Sequence, residues 1–232
     1  MSGADALMLT GHEAAAHGGD VTSMVLIPSI SKRFPDTPLI AAGGIGCGRG
    51  LSAAITLGAD AVAMGSRLAV TEESSLAETI KKIVSNPDLE GGSTESDTVY
   101  GKNFDGLYAR VLKSNESVRL NARPAPFPVV FYRALQAART MDIPLWQIIP
   151  GLLTQFDKIY TIAQFGAATE KLMKATIDGD FEDGVQFIGQ SQGLISDIPS
   201  VDELIQRVVS EAIDSSSDTY DTFSSIRREA TG

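Results

Sequence analysis

Three short apolar runs near the start of the chain constrain its fold more than any other feature of the sequence. They cover Ala6–Leu9, Pro38–Ala42 and Ala61–Met64, and each is followed by glycine or a polar turn residue. A run that is apolar at nearly every position is typical of a strand that is buried on both faces, as in a parallel sheet. The runs therefore predict three parallel strands.

Helical patterns alternate with these runs. Leu51–Leu57 and Leu76–Val84 follow the second and third runs, and the stretch Val21–Arg33 leaves room for a helix after the first. Strands that alternate with helices predict right-handed βα units of a parallel sheet or barrel. We therefore expect an α/β fold, with residues 1–86 as its first domain.

Residues 87–232 have a different sequence pattern, without alternating strands and helices, and form the second predicted domain. Pro87–Pro128 is polar, interrupted by glycine and proline, and predicts an irregular loop region. Helices are expected after it, at Val129–Thr140, Phe156–Ile177 and Val201–Ile213. Ser200 and Glu203 form a capping-box pattern at the start of the last helix. The serine- and aspartate-rich chain after Ser215 is expected to fray.

The charge and composition exclude several classes of function. A net charge of −10 argues against nucleic acid or an anionic membrane as partner, because both require clustered lysine and arginine. The single cysteine, Cys47, excludes an intrachain disulfide framework and a cysteine-only zinc site. No apolar run approaches the ~18 residues of a membrane-spanning helix, and the first residues lack the pattern of a secretory signal. We expect a cytoplasmic location.

A glycine-rich segment, Gly43–Gly50, directly follows the second predicted strand. Glycines let backbone N–H groups approach an anion closely, and a helix that begins near Leu51 would point its positive end at that anion. The spacing is not that of a dinucleotide fingerprint, because Arg49 and Leu51 stand where glycine would be required. The segment is therefore either a phosphate site or only a tight turn.

A second candidate phosphate turn follows the third strand, at Met64–Arg67. It places Gly65 and Ser66 directly after the strand, and a glycine with a hydroxyl residue there is suited to hold a phosphate. Many (β/α)8 barrels build their phosphate site from the loops after two neighbouring strands. The pair of turns favours the phosphate interpretation over two unrelated tight turns.

The loop after the first strand contains both histidines of the chain, His12 and His17, together with Glu13. Histidine is the side chain best suited to act as general base near neutral pH, so we expect a catalytic role for at least one of the two. The histidine spacing differs from that of zinc peptidases, and we expect no metal site. A serine hydrolase finds no support because no Gly-x-Ser-x-Gly motif is present. Cys47 is expected to pack rather than react.

Four motifs together resemble the nitronate monooxygenase family, whose members are FMN-dependent TIM-barrel enzymes. In chain order the motifs are Glu13–Gly19, Ile40–Ile45, Gly58–Arg67 with Thr71–Ser74, and Gly184–Ile195. The second and third motifs alone are shared by other phosphate-binding barrels. Joined to the histidine loop and the glutamine-rich last motif, they are specific, and the resemblance covers nearly the whole chain in the family's order.

The resemblance implies a role for each matching residue. His17 would deprotonate a carbon acid, or stabilise an anionic substrate, beside the flavin. Gln190 would help to close the flavin pocket. Backbone donors to the FMN phosphate would come from Gly43, Gly44, Met64, Gly65 and Ser66. The implied reaction is the oxidation of an alkyl nitronate by FMN, with O2 reoxidising the flavin.

The chain departs from the family pattern in two respects. Ala15 and Ala16 stand where the family usually shows two glycines. A TIM barrel also needs eight strands in about 250 residues, and only its last three βα units are recognisable here. The expected fold is therefore a partial (β/α)8 barrel followed by a helical extension. Because open sheet edges are normally covered, a homo-oligomer or a complementing chain is expected.

Two other functions remain open. A flavin-dependent enoyl-thioester reductase would share the barrel and the cofactor but would need a nicotinamide donor. A flavin-free remnant that serves as a scaffold or binds a partner protein would retain the fold without the chemistry. Flavin content and the choice of electron donor distinguish these alternatives from a nitronate monooxygenase.

Overall fold

A computed structural model describes residues 3–86, 94–123 and 168–231, together with the isolated positions 128, 129 and 132. Three parallel strands form a sheet in the order β1-β2-β3. They are β1 (Leu7–Thr10), β2 (Leu39–Ala42) and β3 (Ala61–Ala63). The three strands predicted from the apolar runs are confirmed, and each boundary lies within one residue of its predicted position.

Four helices accompany the sheet in the first part of the chain. They are α1 (Ser23–Arg33), α2 (Gly48–Thr56), α3 (Gly65–Ala69) and α4 (Glu78–Ser85). The alternation of strand and helix confirms the predicted α/β fold. The short helix α3 was not predicted, because its five residues lie too close to β3 for a helical period to be visible.

The sheet and its helices share one apolar core. Leu39 and Ala41 of β2 are 2% and 0% exposed, because this central strand has a neighbour on each side. Further buried members of the core come from β1, α1, α2 and the chain's last helix: Leu9, Ile27, Ala54, Leu204 and Val208. This core holds the strands together, and so fixes the position of the loops that leave the carboxyl end of the sheet.

A β-hairpin occupies part of the region that was predicted to be irregular. Its strands β4 (Thr98–Gly101) and β5 (Ala109–Leu112) are antiparallel, and α5 (Asn115–Ala122) follows. The prediction of an irregular Pro87–Pro128 is thus wrong for this part. Every residue of β5 is buried, including Arg110, so the strand lacks the apolar–polar alternation by which a hairpin is recognised.

The last third of the described chain is helical at both ends. Residues 168–176 form the described part of α6, Gln190–Leu194 forms a 3-10 turn, and α7 covers Val201–Thr231. The predicted helix Phe156–Ile177 agrees where it is described, and the predicted helix at Val129–Thr140 lies largely outside the described residues. The Ser200–Glu203 capping box is confirmed, because each residue's side chain accepts the other's backbone N–H.

The fraying expected after Ser215 is not observed. The helix α7 continues to Thr231. Several of its hydroxyl side chains bond to carbonyl oxygens one turn earlier in the helix. Ser216 and Thr219 donate to the carbonyl oxygens of Ala212 and Ser215, each at 2.8 Å. Ser216 also lies 2.9 Å, oxygen to oxygen, from Ser52 of α2. The first half of α7 packs directly on α2.

Buried charges connect α5 to α6. Glu116 is 5% exposed and accepts hydrogen bonds from Lys171 at 2.8 Å and from Arg119. Burial by itself would raise the pKa of Glu116, but the two cations outweigh it and hold the pKa below its usual value.

Within the residues that the structure describes, none of the helices combines the length and apolarity that crossing a bilayer demands.

Candidate functional site

The loops after the three strands meet at the carboxyl end of the sheet, where parallel α/β proteins bind ligands. The loop after β1 covers residues 11–22 and is called the histidine loop below. The glycine turn after β2 lies against it: a Cβ placed on Gly43 would lie 3.1 Å from the Ala14 Cβ, and one on Gly44 would lie 3.2 Å from the Glu13 Cβ. Two of the predicted site segments are therefore in contact.

Gly43 and Gly44 have backbone conformations that favour glycine, with φ of +97° and +78°. Their lack of a side chain also leaves room for the histidine loop to approach. These two glycines are therefore required by the local fold, whether or not a phosphate binds there. The tight-turn interpretation accounts for them, and the phosphate role remains a prediction.

The third predicted turn contains residues in different environments. Met64 is buried in the core at 9% exposure, so only its backbone can face a ligand. Among the residues that the structure describes, none lies within 4 Å of a Cβ placed on Gly65. The Ser66 hydroxyl is buried and accepts the Gly189 backbone N–H at 2.9 Å. Arg67 is buried as well and donates to Asp197, which connects the turn to the chain before α7.

The predicted residue Gln190 lies beside the histidine loop. Its backbone N–H donates to the Glu13 carbonyl oxygen at 2.9 Å. A Cβ placed on Gly189 would lie 2.8 Å from the Ala15 nitrogen, so this segment also packs tightly on the loop. Together with the bond from Gly189 to Ser66, these contacts bring the fourth motif to the same end of the sheet.

Glu13 and His12 are both engaged in holding the loop. Glu13 accepts the backbone N–H of Ser23 at 3.0 Å and the Ser23 hydroxyl at 3.0 Å, at the first residue of α1. A carboxylate in this position caps the helix. Nδ1 of His12 lies 3.0 Å from the Gly19 carbonyl oxygen, and its ring meets Tyr100 edge-on at 4.7 Å. Both side chains therefore help to hold the histidine loop in place.

His17 stands in a different environment. Its side chain is 40% exposed, and its Nε2 lies 2.7 Å from Oδ2 of Asp105, a carboxylate that is 2% exposed. The ring of Phe187 lies nearby, tilted by 55° with its centroid 6.1 Å from that of His17. An accessible imidazole paired with a buried carboxylate can accept a proton from a substrate.

The hairpin β4–β5 holds the histidine loop at two points. The backbone groups of Ala16 and Arg110 exchange hydrogen bonds of 3.0 and 2.9 Å, and the Arg110 guanidinium donates to the His12 carbonyl oxygen at 3.0 Å. Burial lowers the pKa of Arg110, with Tyr100 and Glu13 opposing this effect. Its guanidinium also lies over the Tyr100 ring at 5.1 Å.

Asp105 and Arg110 are the site residues that sequence reasoning missed. Both lie in the segment predicted to be irregular, and Asp105 is 88 positions away from His17. The Asp105-Gly106 pair is a turn signal that marks a possible hairpin, but nothing in the sequence indicates which loop the hairpin meets.

In the described ranges, no three His, Cys, Asp or Glu side chains form a group that could hold a metal ion.

Fold and site together define an α/β protein with a histidine and glycine-rich turns at the carboxyl end of a parallel sheet. The sequence model of the nitronate monooxygenase family matches residues 1–211. The chain belongs to this family, whose members are oxidoreductases, and the resemblance seen in the sequence is confirmed.

The relatives differ in the substrates that their names state. A (3aS,4S,5R,7aS)-5-hydroxy-7a-methyl-1-oxo-octahydro-1H-indene-4-carboxyl-CoA dehydrogenase of Mycobacterium tuberculosis is 36% identical over 91% of this chain and 60% of the relative. A probable nitronate monooxygenase of Staphylococcus aureus is 36% identical over 47% of this chain and 32% of the relative.

A solved structure supports the fold. FabK from Thermotoga maritima superposes with a TM-score of 0.72 at 29% identity, covering 95% of this chain and 58% of that protein. The chain thus spans 60% of the M. tuberculosis relative and a similar share of the solved structure.

Proposed function

We propose that this chain is an FMN-dependent oxidoreductase that acts on a carbon acid, with His17 as the proton acceptor. The observation that carries the proposal is the position of the His17 imidazole. It is 40% exposed, paired with a buried carboxylate, and lies in a loop packed against the glycine turn after β2. Membership of the nitronate monooxygenase family supports the reaction class.

The residues present fit a flavin phosphate. No described residue crowds the Cβ position of Gly65, so a ligand can approach its backbone there. The Ser66 hydroxyl accepts one hydrogen bond and still has its own hydrogen to donate. We assign the phosphate to the backbone N–H groups of Gly43, Gly44, Met64, Gly65 and Ser66, and a place at the edge of the flavin pocket to Gln190. When bound, FMN supplies the electron acceptor for the substrate and is reoxidised by O2.

The chain's own residues bind the substrate and move its proton. His17 takes the proton from the acidic carbon, and Asp105 balances the positive charge that then forms on the ring. Phe187 places an apolar ring beside the imidazole. In this proposal the substrate is a nitroalkane, whose alpha proton His17 accepts to give the nitronate, or the nitronate itself, whose negative charge a protonated His17 stabilises. O2 is the second substrate.

A second candidate substrate is a CoA thioester. The M. tuberculosis relative, which matches 91% of this chain, is named as a carboxyl-CoA dehydrogenase. The carbon next to a thioester carbonyl is a carbon acid, as is the carbon next to a nitro group, so His17 could serve either substrate. Run in the opposite direction with a nicotinamide donor, the same site would reduce an enoyl thioester.

We further propose that the three βα units correspond to the last three of a (β/α)8 barrel. The order β1-β2-β3 leaves β1 and β3 as the two edges of this sheet. Because open edges invite pairing with another strand, we assign their cover to a second copy of this chain or to a complementing chain. We place the protein in the cytoplasm, as its sequence predicts.

The test combines flavin binding with two assays of turnover. The purified chain is titrated with FMN, and flavin fluorescence and thermal stabilisation are measured. O2 uptake with a nitroalkane and with its nitronate is then compared with NADH oxidation in the presence of an enoyl-CoA. Flavin binding with the first activity supports a nitronate monooxygenase, whereas the second activity supports the thioester reaction.

The variant H17N tests the role of the base, and H12N is its matched control. His12 lies in the same loop but is bonded to Gly19. We expect H17N to keep FMN binding and to lose roughly 10²–10⁴-fold in turnover of the neutral nitroalkane, as is typical when a general base is removed. H12N should retain turnover. A chain that neither binds nor is stabilised by FMN would contradict the proposal and favour the flavin-free scaffold.

A further inference from the structure

Asp105 is a buried carboxylate whose two oxygens both have defined partners. Oδ2 lies 2.7 Å from Nε2 of His17, and Oδ1 accepts the backbone N–H of Leu107 at 3.0 Å. The side chain is 2% exposed. A carboxylate is costly to bury unless it is hydrogen-bonded and paired with a group that can carry positive charge. His17 is the only such group that bonds to it among the residues the structure describes.

The segment that carries Asp105 is rigidly held. It is the turn between β4 and β5, closed by a hydrogen bond of 3.1 Å from the Gly106 N–H to the Lys102 carbonyl oxygen. Gly106 has a φ of +94°, which suits glycine in such a turn. The preceding Phe104 is 6% exposed and packs in a cluster with Val111. The Asp105 carboxylate therefore has little freedom to follow a moving histidine.

The pairing determines which nitrogen of His17 is free. An ionised carboxylate can only accept a hydrogen bond, so Nε2 must carry the hydrogen and Nδ1 keeps its lone pair. In the part of the chain that is described, no group is hydrogen-bonded to Nδ1 of His17. The ring is thus oriented with one nitrogen toward the interior and the other available to a ligand.

We propose that Asp105 is a positioning residue that fixes His17 in the Nε2–H tautomer and makes Nδ1 the atom that accepts the substrate proton. This inference rests on the proposed function and deepens it. In the step, the carbon–hydrogen bond of the substrate breaks and its electron pair stays on carbon. The proton moves to Nδ1, and the negative charge of Asp105 stabilises the resulting imidazolium.

Asp105 is not itself the base. Its carboxylate is 2% exposed, and both oxygens already accept hydrogen bonds, so a substrate carbon has no route to it. The arrangement places Asp105 behind the imidazole, where it acts only through His17.

The variant D105N gives a sharp prediction because the Leu107 N–H can only donate. The oxygen of the new amide must stay on Leu107, which turns the amide NH2 group toward Nε2 of His17. Nε2 must then accept, so the hydrogen of the neutral ring moves to Nδ1. The proposed proton acceptor is blocked, although the shape of the side chain is nearly unchanged.

The experiment is nitrogen NMR of the full chain labelled with 15N-histidine, at a pH above the ordinary histidine pKa of about 6.5. The chain has two histidines, so H12N and H17N assign both rings. In the wild-type chain we expect the hydrogen of His17 on Nε2, and in D105N on Nδ1. His12 should be unchanged in both. D97N is the matched control, because Asp97 lies beside the same hairpin and is bonded to Thr94 and Lys113 instead of histidine.

Turnover measured on the same variants completes the test. We expect kcat of D105N to fall roughly 10²–10⁴-fold, with FMN binding retained and D97N active. A His17 tautomer that is the same in the wild-type chain and D105N, or a switched tautomer with undiminished kcat, would overturn the inference. An inactive wild-type chain that still shows the tautomer switch would refute the proposed function and leave the Asp105–Nε2 pairing standing.

Discussion

Ala16 is a non-glycine residue held in a left-handed conformation, with φ of +51°. This conformation destabilises an L residue by about 1–2 kcal/mol, because its Cβ crowds the backbone, whereas glycine adopts it at almost no cost. Ala16 cannot relax, since its N–H and C=O both pair with Arg110, at 3.0 and 2.9 Å. The residue precedes His17 directly, so this strain is stored at the candidate site.

The variant A16G should therefore stabilise the protein, contrary to the usual effect of replacing alanine by glycine. Relief of strain contributes about 1–2 kcal/mol. The greater conformational entropy of glycine in the unfolded chain offsets about 0.4–1 kcal/mol of this stabilisation. The two ranges combine to a change of about 0 to +1.6 kcal/mol in the free energy of unfolding. Their midpoints give a rise of about 0.8 kcal/mol, which corresponds to about 2–3 °C in Tm for a chain of this size.

Urea denaturation measures the change, and A15G is its matched control. Ala15 is the neighbouring alanine and does not share the positive φ, so A15G should lower the free energy of unfolding by about 0.4–1 kcal/mol. The two variants should thus shift the urea midpoint in opposite directions at a constant m-value. If A16G destabilises the chain as much as A15G does, the argument that Ala16 is strained is wrong.

Two further predictions concern charge and glycine. E116Q should cost roughly 1–3 kcal/mol near neutral pH, because it leaves the Lys171 ammonium without its carboxylate. The pKa of Glu116 is lowered in the folded state, so its stabilising contribution is present above the ordinary pKa of about 4.3 and is lost as the pH falls below it. Urea titrations should therefore give free energies of unfolding for wild type and E116Q that converge in acid. A difference between the two that stays constant with pH would contradict this argument. G65V should weaken FMN binding at least ~10-fold, with stability within about 0.5 kcal/mol of wild type. G43A should instead cost about 1–2 kcal/mol in stability, because Gly43 has a positive φ. Equal FMN affinity in G65V and wild type would exclude the phosphate from the turn after β3.

The sequence was sufficient to predict the elements that depend on local patterns. The three strands follow from continuous apolar runs, and the start of α7 follows from the Ser200–Glu203 capping box. Each signal lies within a few residues of the element that it specifies. The same holds for the histidine loop and the glycine turn, whose residue types are unusual enough to stand out without knowledge of their neighbours.

The hairpin and its contacts could not be predicted in this way. Arg110 is buried within a strand, where a charged residue lowers the expectation of any strand. Its burial is made possible by Thr98, the His12 carbonyl oxygen and the Tyr100 ring, none of which is its neighbour in sequence. The pairing of Asp105 with His17 depends on the same long-range arrangement, so only the three-dimensional structure reveals it.

The glycines of the site show why a motif alone is weak support for a ligand. Gly43 and Gly44 are required by their positive φ and by the approach of Ala14 and Glu13, so they would be present in a protein of this fold that binds nothing. Gly65 has no such requirement, because a Cβ there would meet no atom of the described part of the chain within 4 Å. A glycine without a structural reason is better explained by a ligand that approaches its backbone. The phosphate proposal therefore depends chiefly on Gly65, although the longer glycine run is the more conspicuous in the sequence.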